Sequence, residues 1–296
     1  MAEWIQQIVS GLATGAIFAS LALAIVLIYR ATRVINFAQG EMATFTTFVV
    51  WSLVHHGVAF WLAFAITLAI AFAGGVAIER VVMRPLEHAS VLTAIIVTIG
   101  LSLVLNGAVN WVWGAEQKRL PPRRPFPTDT YHVGGVAFSK QDIGVLVAVL
   151  IAVALLFVLF RFTKIGLGLR AAALNPDASR LTGVRVGWML ALGWGLAAVL
   201  GAVSGVMAAA AFNSFDPTLM EPVLLYAFAA AVVGGLDSPV GAVAGGLGLG
   251  VLLNLLGAHV GFVGEKLKLP VALALILAVL IVRPAGLFGR VAVRRV

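Results

Sequence analysis

Long apolar stretches alternate with short polar ones along almost the whole chain. Nine apolar stretches lie at positions 5–29, 43–54, 58–78, 91–113, 143–160, 188–211, 223–233, 240–256 and 269–282. A helix needs about 20 apolar residues to cross the hydrocarbon core of a bilayer, and several of these stretches approach or reach that length. The pattern therefore predicts an all-α polytopic membrane protein with about eight to nine transmembrane segments, some of them broken or re-entrant. We expect residues 1–296 to form a single transmembrane domain.

One polar stretch, residues 161–187, lies between two long apolar segments, and we call it the polar island. Within it, Asn175 is a good helix N-cap and Pro176 suits the first helical position. Asp177 complements the positive end of the helix dipole. Ala178 and the next residues can continue the turn, and Gly183 can end it in a left-handed conformation. The island is predicted to hold a short helix outside the bilayer; an ordinary basic connector is the alternative.

Two apolar segments are interrupted, one in each half of the chain, by residues 36–41 and by residues 234–239. Irregular backbone at membrane depth is tolerated only where it is buried in protein or lines a cavity, so paired breaks indicate a substrate path. The alternative is that glycine and proline simply permit tight packing. The candidate path residues at these breaks are Asn36, Gln39, Glu41, Gly234, Gly235 and Ser238.

Glu41 is an acidic residue inside an otherwise apolar region. A charge at the bilayer centre costs on the order of 3 kcal/mol on insertion scales. Glu41 is therefore expected either near the membrane interface or held by neighbours such as Asn36 and Gln39.

Small and polar residues recur at helical spacing in two of the predicted spans. Thr98, Ser102 and Asn106 follow each other every four residues and share one helix face. They either line the path or hydrogen-bond to neighbouring helices. Glycine pairs spaced for close helix contact occur at Gly11 with Gly15 and at Gly201 with Gly205.

The composition supports a membrane protein, because 61% of the 296 residues are hydrophobic and only 11% are charged. Soluble domains average about 25% charged residues. The net charge of +8 lies in the polar stretches, where topology and lipid headgroups explain it better than nucleic acid does. If the N-terminus lies outside and every segment crosses, 13 of the 20 basic residues lie on the side of the island. This bias predicts that the island and the C-terminal tail are cytoplasmic.

The motifs of several enzyme classes are missing from the sequence. No lysine follows a glycine, so the chain has no phosphate-binding P-loop, and neither HExxH nor GxSxG occurs. The absence of cysteine excludes disulfides and thiolate chemistry. Acidic residues lie near segment ends, apart from Glu41 and Asp237, whereas ion-coupled carriers usually keep carboxylates at mid-membrane depth. We expect neither an enzyme, nor a cofactor, nor a metal site.

Three stretches together resemble one transport family. Residues 35–43 (INFAQGEMA) resemble the first-half signature of the LivH-type permeases of branched-chain amino acid ABC importers. Residues 234–242 (GGLDSPVGA) resemble their second-half glycine motif, although the family usually has glycine where Asp237 stands. The residues that match the family's cytoplasmic coupling loop are Thr163, Gly166, Arg170, Ala171, Asn175, Ala178 and Gly183. The resemblance runs in order over nearly the whole chain.

The resemblance implies a permease in the bacterial inner (cytoplasmic) membrane. Its expected partners are a LivM-like second permease, two cytoplasmic ABC ATPase subunits, a periplasmic binding protein and the lipid bilayer. The polar island would be the coupling loop, with ATPase contacts expected at Arg170, Asn175, Pro176, Asp177, Ala178, Arg180 and Gly183. Arg170, Arg180 and Arg185 are expected to pair with acidic groups of the ATPase.

The expected cargo is a branched-chain amino acid. Within the same importer class, urea, short amides or another small solute are alternatives. A stand-alone secondary carrier and a channel-like subunit are the alternatives from other classes.

Overall fold

A computed structural model describes residues 2–289 except residues 88, 121–124, 128, 134–135, 213, 261–263 and 265–266. The helices in this part of the chain are α1 (Ala2–Thr32), α2 (Gln39–His55), α3 (Phe60–Ile78), α4 (Val91–Trp113), α5 (Lys140–Phe162), α6 (Lys164–Leu174), α7 (Pro176–Leu181), α8 (Val186–Phe212), α9 (Met220–Gly234), α10 (Pro239–His259) and α11 (Lys268–Val282). Helix α3 continues through a π-helical turn (Glu79–Met83) into a 3-10 turn (Arg84–Leu86). Strands β1 (Thr130–Val133) and β2 (Val136–Ser139) form an antiparallel hairpin between α4 and α5.

Each predicted apolar segment corresponds to one helix, and the all-α polytopic fold is confirmed. By length and composition, six helices in the described residues suit a membrane crossing: α1, α3 with its extension, α4, α5, α8 and α10. Helices α9 and α11 are apolar but have only 15 residues each, and α2 has 17. The hairpin lies between the apolar stretches at 91–113 and 143–160, where the apolar pattern indicates no helix. Its four-residue strands are too short to show a period of two.

Helices α1 and α8 form the centre of the bundle. Their most apolar windows are 89% and 78% buried, against 11–22% for α3, α4 and α5. Helix α1 packs along α10, and glycines allow this close approach. A Cβ atom added at Gly250 would lie 2.2 Å from the Cα of Gly15, and one at Gly246 would lie 2.4 Å from the Cα of Ala19. The predicted contact surface at Gly11 and Gly15 is confirmed, and its partner is α10.

The bundle has two ends, which we name after their features. The island end carries α6 and α7, and the hairpin end carries β1 and β2. After α11, the chain returns along the turn between α9 and α10 at the island end. There the Leu287 amide donates to the Val233 carbonyl at 2.8 Å, and the Phe288 amide donates to that of Gly234 at 3.1 Å. The tail cations Arg290, Arg294 and Arg295, on which the predicted orientation partly depends, lie outside the described residues.

Candidate translocation path and coupling surface

The connection between α1 and α2 is folded by the side chain of Asn36. Its Oδ1 accepts from the amide of Ala38 at 3.0 Å, and its Nδ2 donates to Oε1 of Gln39 at 3.2 Å. Helix α2 begins at Gln39, so Gln39 and Glu41 are helical and the break precedes them. The predicted interruption at residues 36–41 is therefore placed too late. An asparagine that bonds to its own following backbone favours a turn and lets the helix start directly after it.

Gln39 attaches the start of α2 to the central helix α8. Its side chain is fully buried, and its Nε2 donates to the carbonyl of Ala197 at 2.9 Å. Glycines on α8 make room for this contact. A Cβ atom at Gly201 would lie 2.6 Å from Nε2 of Gln39, and one at Gly205 would lie 2.5 Å from Oγ1 of Thr47. The predicted contact surface at Gly201 and Gly205 is confirmed, and α2 is the helix that it binds.

Substitution of Gly205 should separate α2 from α8. In Gly205→Val, the new Cβ would also lie 2.6 Å from the backbone oxygen of Ala43, which cannot move aside as a flexible side chain would. We expect a loss of about 3 kcal/mol, or a melting temperature lower by roughly 10 °C in detergent. Gly193→Val is the matched control on the same helix, because nothing lies within 4 Å of a Cβ atom there. Equal melting temperatures for the two variants would contradict the predicted contact.

Glu41 is held by Asn106 of α4. The Asn106 Nδ2 donates to Oε2 of Glu41 at 3.3 Å and to the carbonyl of Pro217 at 3.2 Å. Asn106 lies 15 residues after the start of α4 and 7 before its end, so Glu41 is not at the end of a span. The expected neighbours, Asn36 and Gln39, bond to each other instead. Glu41 thus has a bonded partner inside the bundle, but not the one that the sequence suggested.

The other two polar residues on this face of α4, Thr98 and Ser102, form hydrogen bonds with different parts of the chain. Thr98 Oγ1 accepts from the amide of Phe37 at 3.4 Å, so it contacts the α1–α2 connection. Ser102 Oγ donates to the carbonyl of Ile99 in its own helix at 2.6 Å. The structure therefore brings together five first-half candidates and leaves out Ser102. This group, which we call the first-half cluster, comprises Asn36, Gln39, Glu41, Thr98 and Asn106.

The second-half candidates lie elsewhere, in the turn between α9 and α10. Gly235 has a φ of +103°, which favours glycine, and Ser238 caps α10 by accepting from the amide of Gly241 at 3.0 Å. The break predicted at residues 234–239 is confirmed. Gly40 beside the first-half cluster packs against Met220 at the start of α9, whereas this turn follows its end. The start of α2 and this turn therefore lie at opposite ends of the 15-residue α9.

An ion pair connects the ends of the two interrupted regions. Arg33, whose φ of +58° is unusual for a residue with a side chain, follows α1. Its Nη1 lies 2.6 Å from Oδ1 of Asp237. Both side chains are largely exposed, so we expect the pair to add little stability. A glycine at position 237, usual in the family that the motif resembles, would not form it.

The short helix predicted in the polar island is present as α7. Asn175 Oδ1 accepts from the amide of Ala178 at 3.0 Å, Pro176 opens the helix, and Gly183 follows it with a φ of +82°. Helix α6 was not predicted. Its N-cap is Thr163, whose Oγ1 accepts from the amide of Gly166 at 3.0 Å. A glycine in its first turn and another two residues later hide the helical pattern.

The island cations do not all point to an external partner. Arg180 Nη2 lies 2.8 Å from Oε1 of Glu87, before α4, so an acidic group of an ATPase would have to compete with Glu87. Arg170 Nε donates to the carbonyl of Gly166 at 3.3 Å. Sequence reasoning missed two exposed leucines, Leu174 at the end of α6 and Leu181 at the end of α7, which are 82% and 90% exposed. Their signal was an apolar residue directly before the helix cap and another in the last turn of the capped helix, within a polar stretch.

The comparisons with known proteins decide the family. The family described as "Branched-chain amino acid transport system / permease component" matches residues 7–282. The chain belongs to this family. The high-affinity branched-chain amino acid transport system permease protein BraD of Pseudomonas aeruginosa is 31% identical over 305 residues, covering 99% of this chain and 98% of the relative. The permease protein LivH of Escherichia coli (strain K12) is 30% identical over 313 residues with the same coverage. No solved structure matches the chain.

Family membership confirms the resemblance seen in the three motifs. The permease is a multi-pass membrane protein, as its apolar helices and its family both indicate. The two family signatures correspond to the α1–α2 connection with the start of α2, and to the α9–α10 turn with the start of α10. The third matching stretch covers α6, α7 and the residues that cap them.

Proposed function

We propose that this permease is the membrane subunit of an ABC importer and that it translocates branched-chain amino acids. The observation that carries the proposal is the match over nearly the full length to relatives named as high-affinity branched-chain amino acid permeases. The first-half cluster is polar but nearly free of charge, with one carboxylate held by one amide. Polar walls with little charge suit a zwitterion with an apolar side chain, because they offer weak contacts. A deep binding site would instead retain the cargo.

The proposed importer has further subunits on other chains. A LivM-like second permease would complete the path, a periplasmic binding protein would deliver cargo, and two ABC ATPase subunits would supply energy from the cytoplasm. The proposed location is the bacterial inner membrane, with the island end facing the cytoplasm. Helices α6 and α7 would be the coupling surface, since they connect the membrane helices α5 and α8 and expose Leu174 and Leu181 to a partner.

Reconstitution tests the proposal directly. Vesicles holding this chain with its copurified subunits should take up leucine only when ATP and the binding protein are both present. Uptake of urea or acetamide in place of leucine would keep the importer class and change the cargo. Leucine transport by vesicles that hold only this chain, without ATP, would replace the proposal with a secondary carrier.

The two exposed leucines provide a test of the coupling surface. Leu174→Ser with Leu181→Ser should reduce copurification of the ATPase about tenfold or more, because buried leucines contribute roughly 1.5–3 kcal/mol each to a contact. The control is Ile281→Ser with Val282→Ser at the end of α11, where the side chains are 82% and 79% exposed. This control removes a similar exposed apolar area away from α7. Equal ATPase recovery from both double variants would reject the proposed surface.

Asn106 provides a test of the path. Asn106→Leu leaves the buried carboxylate of Glu41 without its amide donor and adds an apolar side chain to the cluster. We expect leucine uptake to fall about tenfold because the substitution replaces a polar group of the proposed path with an apolar one, while the unpaired carboxylate costs about 1–3 kcal/mol of stability and leaves the protein able to assemble. Ser102→Ala is the control, since Ser102 bonds within its own helix. Unchanged uptake by Asn106→Leu would assign Asn106 to helix packing.

A further inference from the structure

We propose that the permease binds the phosphate group of an anionic phospholipid in a groove lined by four arginines. We call this the arginine groove; it has a volume of about 510 Å³ and lies between the C-terminal part of the polar island and the extension of α3. Its charged lining residues are Arg80, Arg84, Arg180 and Arg185, and residues 183–188 supply the rest of its wall. The arginines come from the extension of α3, from α7 and from the segment before α8. Arg180, Gly183 and Arg185 also belong to the proposed coupling loop, whereas Arg80, Arg84 and Trp188 have no role in the functions described above.

The groove holds cationic groups whose charge is not fully compensated. In the described part of the chain, Arg84 and Arg185 have no carboxylate within ion-pair distance. Arg80 lies near Glu79, with 3.7 Å between Nε and Oε2, which is too long for a hydrogen bond, and its Nε is buried without one. Arg180 bonds to Glu87 and lies 3.5 Å from Asp177. None of these three carboxylates is among the described residues that line the groove.

The backbone adds to the attraction for an anion. Helix α8 begins at Val186 in the groove wall, and the N-terminus of this 27-residue helix carries a partial positive charge. Gly187 has no side chain to cover this end. A Cβ atom there would lie 3.5 Å from Nη2 of Arg84, so the guanidinium lies close against the backbone. A guanidinium group can bind two phosphate oxygens through two parallel hydrogen bonds. The groove therefore suits a phosphate better than an apolar ligand.

The position of the groove favours a lipid as the source of the phosphate. Arg80 and Arg84 belong to the last turns of the membrane helix Phe60–Leu86. The guanidinium of Arg80 lies 4.0 Å from the ring centre of the exposed Trp188, and aromatic residues of this kind are typical of the membrane interface. Val81, next to Arg80, is also exposed and provides an apolar surface for an acyl chain. Basic pockets between membrane helices on the cytoplasmic side suit anionic headgroups.

The test measures which lipid the full-length permease retains. Purified protein is exchanged into micelles containing equal amounts of phosphatidylglycerol and phosphatidylcholine, and bound lipid is counted by native mass spectrometry. Wild type should prefer phosphatidylglycerol, and Arg84→Gln with Arg185→Gln should lower that preference about tenfold. The control, Arg161→Gln with Lys164→Gln, removes the same charge from the island outside the groove and should change it less than about twofold. Arg84→Lys with Arg185→Lys should keep part of the preference, because the positive charge stays while the bidentate geometry is lost. This variant distinguishes the loss of charge from a loss of folding.

A titration with inorganic phosphate distinguishes the two sources of the group. Phosphate that displaces phosphatidylglycerol from wild type, but binds less to the groove variant, would support an anion site that also accepts free phosphate. Equal phosphatidylglycerol retention and equal phosphate binding by wild type, groove variant and control would overturn the proposal. Loss of ATPase copurification from the groove variant with unchanged lipid preference would also overturn it, because the groove would then belong to the ATPase contact.

Discussion

Replacement of residues 175–180 by a Gly/Ser stretch of equal length should abolish ATP-driven uptake while leaving the permease in the membrane. The six-residue α7 is stiff because Asn175 caps it and Pro176 sets its first turn. It also contacts the segment before α4 through the pair between Arg180 and Glu87, a partly exposed pair that adds little stability. Each glycine costs a helix about 1 kcal/mol, and so short a helix does not form without its cap and contacts.

The readouts are leucine uptake and ATP hydrolysis by the same vesicles. We expect uptake to fall to background while hydrolysis continues, because a flexible connection cannot transmit the ATPase movement. Asn175→Asp is the control, since aspartate caps a helix as well as asparagine does and should retain most of the uptake. Normal ATP-coupled uptake by the Gly/Ser variant would show that α7 is an ordinary connector, the alternative that the sequence left open.

Gly246→Val should prevent stable folding of the permease. The added Cβ would lie 2.4 Å from the Cα of Ala19 and 2.5 Å from its amide nitrogen, and both are backbone atoms of the most deeply buried helix, α1. Relief of this overlap requires α1 and α10 to separate along an interface that has glycine or alanine on both sides. We expect a destabilisation of about 3 kcal/mol or more.

The control for Gly246→Val lies two residues away. Nothing is within 4 Å of a Cβ atom at Gly248, so Gly248→Val makes the same chemical change on the same helix without the overlap. Yield of monodisperse protein and thermal melting in detergent are the measurements. We expect Gly248→Val to behave like wild type and Gly246→Val to lose most of the folded fraction. Similar yields and melting temperatures would show that the two helices are not in backbone contact.

Local features of the fold were predictable because their causes lie within a few residues. Runs of apolar residues locate the membrane helices, since hydropathy and internal backbone bonding are properties of a single segment. Asn175 and Gly183 delimit α7 through bonds and dihedral angles of adjacent residues. Prediction failed where local signals conflicted or were too short. The glycines of α6 conceal a helix, and Asn36 shifts the start of α2 to Gln39.

From the sequence alone follow the membrane class, the number of apolar segments, the capped helix of the island and the family motifs. The tertiary structure decided what each polar group contacts. Glu41 bonds to Asn106 across 65 positions, and Arg180 bonds to Glu87 across 93. It also assembled the arginine groove from three separate segments. Such pairs depend on how helices pack side by side, and packing is set by the summed fit of many small residues, such as Gly246 against Ala19, rather than by any local pattern.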